Sequence, residues 1–152
     1  MSAEIGGLAP DFHLPDQQNN IVSLADLNGQ KALIVFIPFP FTGVCQGELC
    51  TIRDDYGSLS ALGAKVVAIT CDTRHSNRRW TEDNNFQFPI LADYWPHGAV
   101  TQAYGCFNEA TGGAWRWSFV LDAEGVVRAI VKSDALSQPR EFEAYKTALS
   151  KV

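Results

Sequence analysis

The stretch that decides the fold is Ala32-Leu-Ile-Val-Phe-Ile37, continued by Pro38-Phe-Pro-Phe-Thr42-Gly-Val-Cys45-Gln-Gly-Glu48-Leu-Cys50. Six consecutive apolar residues, three of them β-branched, read as a strand buried on both faces, as in a parallel sheet. Gly29 and Pro38 bound it. Beyond Pro38 the apolar spacing becomes helical. Cys45, Leu49, Ile52, Tyr56 and Leu59 form one stripe, which predicts a helix from about Gly43 to Leu59. In α/β sheets, function sits beyond the carboxyl ends of strands. The junction between Ile37 and Cys45 is therefore where chemistry is expected.

Outward from this junction, residues 9–14 and 21–24 read as short extended pieces joined by the polar turn Asp16–Asn20. Lys65–Thr70 reads as a second buried strand and Ser76–Asn84 as a polar helix anchored by Trp80. Phe88–Leu91 is a short strand, and Gly98–Tyr104 a short helix closed by Gly105. Ser118–Leu121 and Val126–Val131 flank the hairpin signal Asp122-Ala-Glu-Gly125. Ser137 with Pro139 predicts the start of a last amphipathic helix carrying Phe142, Tyr145 and Leu149. Buried strands alternating with helices predict an α/β fold, a central sheet flanked by helices on both faces. At 152 residues, without repeats or linkers, one domain over 1–152 is expected.

Composition narrows the function. A net charge of −5 and a single tandem basic pair, Arg78-Arg79, give no basic stripe for nucleic acid. The longest apolar run, Ala32–Phe41, holds two prolines and is too short to cross a bilayer. The first residues have neither a basic nor an apolar region of a signal peptide, so the cytoplasm is expected. Cys45, Cys50, Cys71 and Cys106 include no C-x-x-C, and His13, His75 and His97 are scattered, so nothing in the sequence asks for a metal. A free cysteine is usually a small core residue, and Cys71 and Cys106 are read that way.

Cys45 is different. It falls in the first turn of the predicted helix, where unpaired N–H groups and the positive end of the dipole favour thiolate over thiol. Thr42, three residues earlier, can place its hydroxyl beside the sulfur. Pro38 either shields the pocket or simply ends the strand. Five residues at 100° each put Cys50 about 140° around the helix and roughly 8.7 Å away in Cα position. A disulfide needs less than about 7 Å, so a Cys45–Cys50 bond requires the first turn to melt.

The pattern Pro38-x-x-x-Thr42-x-x-Cys45 resembles the active-site motif of peroxiredoxins. Gly7-Leu-Ala-Pro-Asp-Phe12 and Leu33–Pro38 resemble that family's flanking segments. Phe41–Glu48 and Asp93–Gly105 are most similar to the alkyl hydroperoxide reductase E group. Cys50 instead matches the resolving position of the bacterioferritin-comigratory, or Q, type. The resemblance implies a thioredoxin-like fold with an N-terminal β extension, and thiol-dependent reduction of hydrogen peroxide and organic hydroperoxides without metal, haem or flavin. By it, Cys45 is the peroxidatic cysteine, Thr42 bonds the thiolate and the peroxide, and Pro38 shields the pocket. Arg116, in Trp115-Arg-Trp117, supplies the family's arginine, and Glu48 orients it. Without the motif, Arg116 reads as a strand-edge ion pair and Glu48 as a partner of the helix dipole. Trp117 stands where the family has a small residue, and is expected to stack on Arg116 or narrow the pocket. Cys50 is expected to resolve the Cys45 sulfenate. The alternative is a surface thiol in a one-cysteine enzyme recycled by an external thiol. The implied reductant is thioredoxin, mycoredoxin or a low-molecular-weight thiol, and the implied assembly is a homodimer. Two other readings use the same cysteine: a thiol–disulfide exchange protein, which the missing C-x-x-C disfavours, and a redox sensor.

Overall fold

The computed structural model describes residues 2–152; Met1 lies outside the described residues. The chain opens with the hairpin β1 (His13–Pro15) and β2 (Ile21–Ser23). Then follow β3 (Lys31–Phe36), α1 (Gly43–Asp54), α2 (Tyr56–Ala61), β4 (Ala64–Thr70), α3 (Arg74–Asn84), β5 (Ile90–Ala92) and α4 (Ala99–Ala103). The small hairpin β6 (Phe107–Asn108) and β7 (Gly113–Ala114), then β8 (Trp117–Leu121), β9 (Val127–Lys132) and α5 (Phe142–Ser150), complete it.

β3 is central because it is apolar on both faces. It pairs in parallel with β4 on one side and antiparallel with β8 on the other, within a five-stranded sheet of order β5-β4-β3-β8-β9. Period-two alternation sends Ala32, Ile34 and Phe36 into one core and Leu33, Val35 and Ile37 into the other. The first core is covered by the N-terminal segment and the α4 region, through Phe12, Leu27 and Tyr104. The second is covered by α1, α2, α3 and α5, through Cys45, Leu49, Leu59, Trp80, Tyr145 and Leu149. The sheet is mixed, with helices on both faces and an N-terminal β extension, as expected.

Three local expectations change. The helix predicted over 43–59 breaks at Asp55, which leaves α1 and caps α2. An aspartate at a helix C-terminus opposes the dipole, whereas as an N-cap it is favoured; here its carboxylate accepts the Ser58 hydroxyl. The last helix starts at Phe142, with Glu141 as its N-cap, rather than near Ser137. Its would-be first turn stays non-helical, with Glu141 extended, because Arg140 is drawn into the protein. The β6–β7 hairpin was not anticipated; its strands are two residues each, too short to carry a periodicity.

Candidate active site

The chain leaves β3, passes Pro38 to Phe41 and enters α1 at Thr42, the N-cap. Phe41 sits at φ 65°, in the left-handed region. For a bulky residue that costs on the order of 1–3 kcal/mol, and it makes the turn tight. Cys45 is the third residue of α1, in the first turn as predicted, and is only 1% exposed.

The charges nearby converge on Glu48, one turn further on. Glu48 Oε1 accepts from Arg116 Nη1 and Arg140 Nη2, each at 2.7 Å. Its Oε2 accepts from the Arg140 backbone N–H and Nε, each at 2.8 Å. Glu48, Arg116 and Arg140 are all buried. Burial works to raise the Glu48 pKa, but the hydrogen bonds and charge of Arg140, with the charge of Arg116, outweigh it and hold the carboxyl below its usual range. Burial likewise opposes charge on Arg140, and Tyr145, Glu48 and Cys45 around it outweigh that effect. Two guanidinium charges against one carboxylate leave the buried cluster one positive charge in excess. An anion at Cys45 would balance it.

The two arginines have different work. Arg140 spends Nε and one Nη2 hydrogen on Glu48, and its Nη1 on the carbonyls of Phe36 and Trp117 and the Ser118 hydroxyl. Of five N–H groups in a guanidinium, about one is left. Arg116 donates Nε to the Leu136 carbonyl at 2.6 Å and one Nη1 hydrogen to Glu48. About three of its N–H groups remain for a reacting group. Arg140 ties α1 to β3 and β8, and Arg116 has donors to spare. The sequence reading missed Arg140, because Pro139 looked like a helix opener and Arg140 fell inside the predicted first turn. The one available signal was an arginine standing just ahead of an apolar helix.

Pro38 is buried in the loop at the end of β3. The unanticipated β6–β7 hairpin braces it: a Cβ at Gly113 would lie 2.7 Å from the Pro38 carbonyl, so only glycine allows this approach. The exposed Thr42 hydroxyl donates to the Phe39 carbonyl at 2.8 Å. Its one proton is engaged there, which leaves its lone pairs to accept.

Cys50 is half-buried, with its Sγ 3.9 Å from Asn84 Oδ1 on α3, and packs at the edge of the core that holds Cys45, Leu49 and Ile52. Cys71 and Cys106 are buried. Burial pushes the Cys71 thiol up to about 11 and raises Cys106 as well. Trp117 does not meet Arg116. It points to the opposite core from Cys45, packs toward Phe119, and carries Lys132 Nζ 4.3 Å above its ring. The alternation of β8 sends residue 117 one way and residues 116 and 118 the other. Among the described residues no group of three or more His, Cys, Asp or Glu side chains could hold a metal, and no helix is long and apolar enough to cross a membrane.

A thiol in a first helical turn, a threonine cap and a shared arginine–glutamate cluster can be set beside known proteins. The AhpC/TSA family profile matches residues 5–130. The chain belongs to that family. This peroxiredoxin is 44% identical to alkyl hydroperoxide reductase E of Mycobacterium tuberculosis over 125 residues, 82% of each chain. It is 31% identical to peroxiredoxin Bcp of Escherichia coli over 131 residues, 82% of this chain and 83% of that one. The crystal structure of Enterococcus faecalis AhpC superposes with a TM-score of 0.89 at 26% identity, covering 99% of this chain and 92% of that one. The peroxiredoxin is thus of the alkyl hydroperoxide reductase E and Bcp type, and its fold is thioredoxin-like.

Proposed function

We propose that this peroxiredoxin reduces hydrogen peroxide and organic hydroperoxides at Cys45. The observation that carries the site assignment is the buried Glu48–Arg116–Arg140 cluster. It has one positive charge in excess and is gathered on Glu48, one turn of α1 beyond Cys45. The Cys45 thiolate takes the terminal hydroxyl oxygen of the hydroperoxide. The O–O bond breaks, Cys45 becomes a sulfenic acid, and the alkoxide or hydroxide leaves and gains a proton. The free N–H groups of Arg116 stabilise the charge growing on the leaving oxygen. Thr42, its own proton held by Phe39, accepts the hydrogen bond of the incoming O–H and so orients it. Pro38 closes the pocket, Glu48 orients Arg116, and Arg140 positions Glu48.

Cys50 then resolves the sulfenate, and a thiol reductant such as thioredoxin, mycoredoxin or a low-molecular-weight thiol restores both cysteines. The enzyme acts as one domain in the cytoplasm and as a homodimer; exposed Phe39, Tyr94, Trp95 and Trp115 supply apolar surface for the contact. The test is peroxide consumption with a small thiol as reductant. Rapid consumption by the wild type that is lost in Cys45→Ser is expected. Insulin disulfide reduction without peroxide turnover would replace this reading with thiol–disulfide exchange.

A further inference from the structure

The segment Asp93–Gly105 has no part in the site described so far, yet its first residues are rigidly built. The buried Asp93 carboxylate accepts from the backbone N–H groups of Val100 and Thr101 and from the Thr101 hydroxyl, at 2.7 to 3.2 Å. The Asp93 carbonyl accepts from the Gly98 N–H at 3.0 Å. Gly98 lies at φ 67°, and a Cβ there would stand 2.5 Å from the Phe107 ring, so the loop presses closely on the β6–β7 hairpin. His97 is thereby fixed beside that hairpin. Its ring stands nearly perpendicular to those of Tyr94 and Phe107, with centroids 6.2 and 6.0 Å away. Its Nε2 lies 2.6 Å from the Gly112 carbonyl oxygen. A carbonyl can only accept, so Nε2 carries the proton and donates it.

The hairpin needs such a tie. Its strands are two residues each, and a lone two-stranded hairpin is marginal in water. Among the described residues, the His97 bond is the one side-chain hydrogen bond that reaches residues 107–114 from outside them. What the hairpin carries belongs to the site. Gly113, directly after Gly112, bears on the Pro38 carbonyl and the Phe39 ring, and the strand runs on through Trp115 to Arg116. Pro38 and Phe39 also border a cavity of about 280 Å³, shared with Cys71, Tyr94, His97 and Gly112. Across that cavity the Pro38 loop has no packing, so its place depends on the hairpin.

We infer that His97 is a positioning residue for the peroxide step: through the Gly112 carbonyl it holds the hairpin that braces Pro38 and leads into Arg116. This deepens the proposed function and rests on Cys45 as the residue that meets peroxide. His97 acts on the backbone and not on the peroxide itself. With the Gly112 carbonyl left to water, Pro38 and Arg116 lose their common support, and a misplacement of about 1 Å costs on the order of a hundredfold in rate.

Two substitutions separate the donor from the ring. His97→Phe keeps a ring against Tyr94 and Phe107 but has no donor. His97→Gln loses the ring, and its amide N–H reaches about as far as Nε2. The reduced proteins are mixed with hydrogen peroxide in a stopped-flow instrument, and the second-order rate is taken per folded molecule. His97→Phe should be slower by at least ~tenfold, and His97→Gln should stay close to wild type. Alkylation of Cys45 by iodoacetamide, followed by peptide mass mapping, needs the thiolate but no aligned O–O bond, and should not slow in His97→Phe. A merely structural role would lower the melting temperature of both variants and leave the rate per folded molecule alone. A wild-type peroxide rate in His97→Phe overturns the proposal. So does a His97→Gln as slow as His97→Phe, which would make the ring and not the hydrogen bond the support. Equal slowing of alkylation and peroxide reduction also overturns it, because the effect would then lie on the thiolate. If His97→Phe does not fold, His97→Leu removes the donor with a smaller side chain and is compared with His97→Gln in the same way. Peroxide turnover that survives in Cys45→Ser would instead overturn the proposed function, whatever the His97 variants do.

Discussion

Replacing Glu48 by glutamine tests the centre of the site most directly. The carboxylate accepts four charge-assisted hydrogen bonds of 2.7 to 2.8 Å from Arg116 and Arg140, away from water. Glutamine keeps the shape but has one acceptor oxygen. Its amide nitrogen would face either the two donors now on Oε2 or the two now on Oε1, so half of the bonds become donor against donor. It also leaves two guanidinium charges together without a counter-charge. Removing one partner of a buried ion pair costs about 3–5 kcal/mol. In a chain of this size each kcal/mol lowers Tm by about 2–4 °C, so a fall of roughly 10 °C at pH 7 is expected. Thermal unfolding followed by circular dichroism measures it. The peroxide rate per folded molecule should fall too, because Arg116 loses the group that aims it. Adding Arg140→Met should cost less than the sum of the two single changes, since the second removes a charge the first left unpaired. A melting temperature within ~2 °C of wild type, where the cluster predicts about 10 °C, would mean that the cluster does not carry the energy assigned to it.

The same carboxyl sets an acid limit. Its folded pKa lies below the ordinary 4.5, so its contribution is complete above 4.5 and is lost as pH falls through the folded value. Thermal scans between pH 7 and 3 should show a steeper acid limb in the wild type than in Glu48→Gln. Arg116→Lys keeps a charge but loses the planar fork that serves both Leu136 and Glu48. The peroxide step per folded molecule should slow at least ~tenfold, equivalent to about 1.4 kcal/mol, with a Tm lower by a few degrees; an unaltered rate would return Arg116 to a structural ion pair. Cys71→Ser and Cys106→Ser should keep the peroxide rate that Cys45→Ser loses. With its thiol pushed up to about 11, Cys71 should resist iodoacetamide at pH 8 in the folded protein, and rapid labelling there would contradict its burial.

The parts legible in the sequence are those written in local periodicity. Residues 32–37 are apolar without interruption, so β3 had to lie inside the sheet, and the change to helical spacing after Pro38 put Cys45 in the first turn of a helix. The spacing of Pro38, Thr42 and Cys45 named the family before any fold was known, and the comparisons bear that out. Glu48 and Arg116 were paired by resemblance, and the pair is present at 2.7 Å.

What only the tertiary structure decided depends on residues far apart in the chain. Arg140 lies 92 positions from Glu48, and its contacts pull its segment out of the helix that Pro139 seemed to start. The direction of Trp117 depended on the register of β8 against β3, which places residue 118 opposite Val35 and turns residue 117 to the far core. The bracing of Pro38 by Gly113 and the hydrogen bond from Trp80 to Gln46 join segments separated by loops. Local propensity is a property of neighbouring residues, and a charge buried among distant partners leaves no trace in it. The place of Cys45 in a first helical turn could therefore be read from the sequence, whereas the buried cluster one turn further on appears only once the chain is folded.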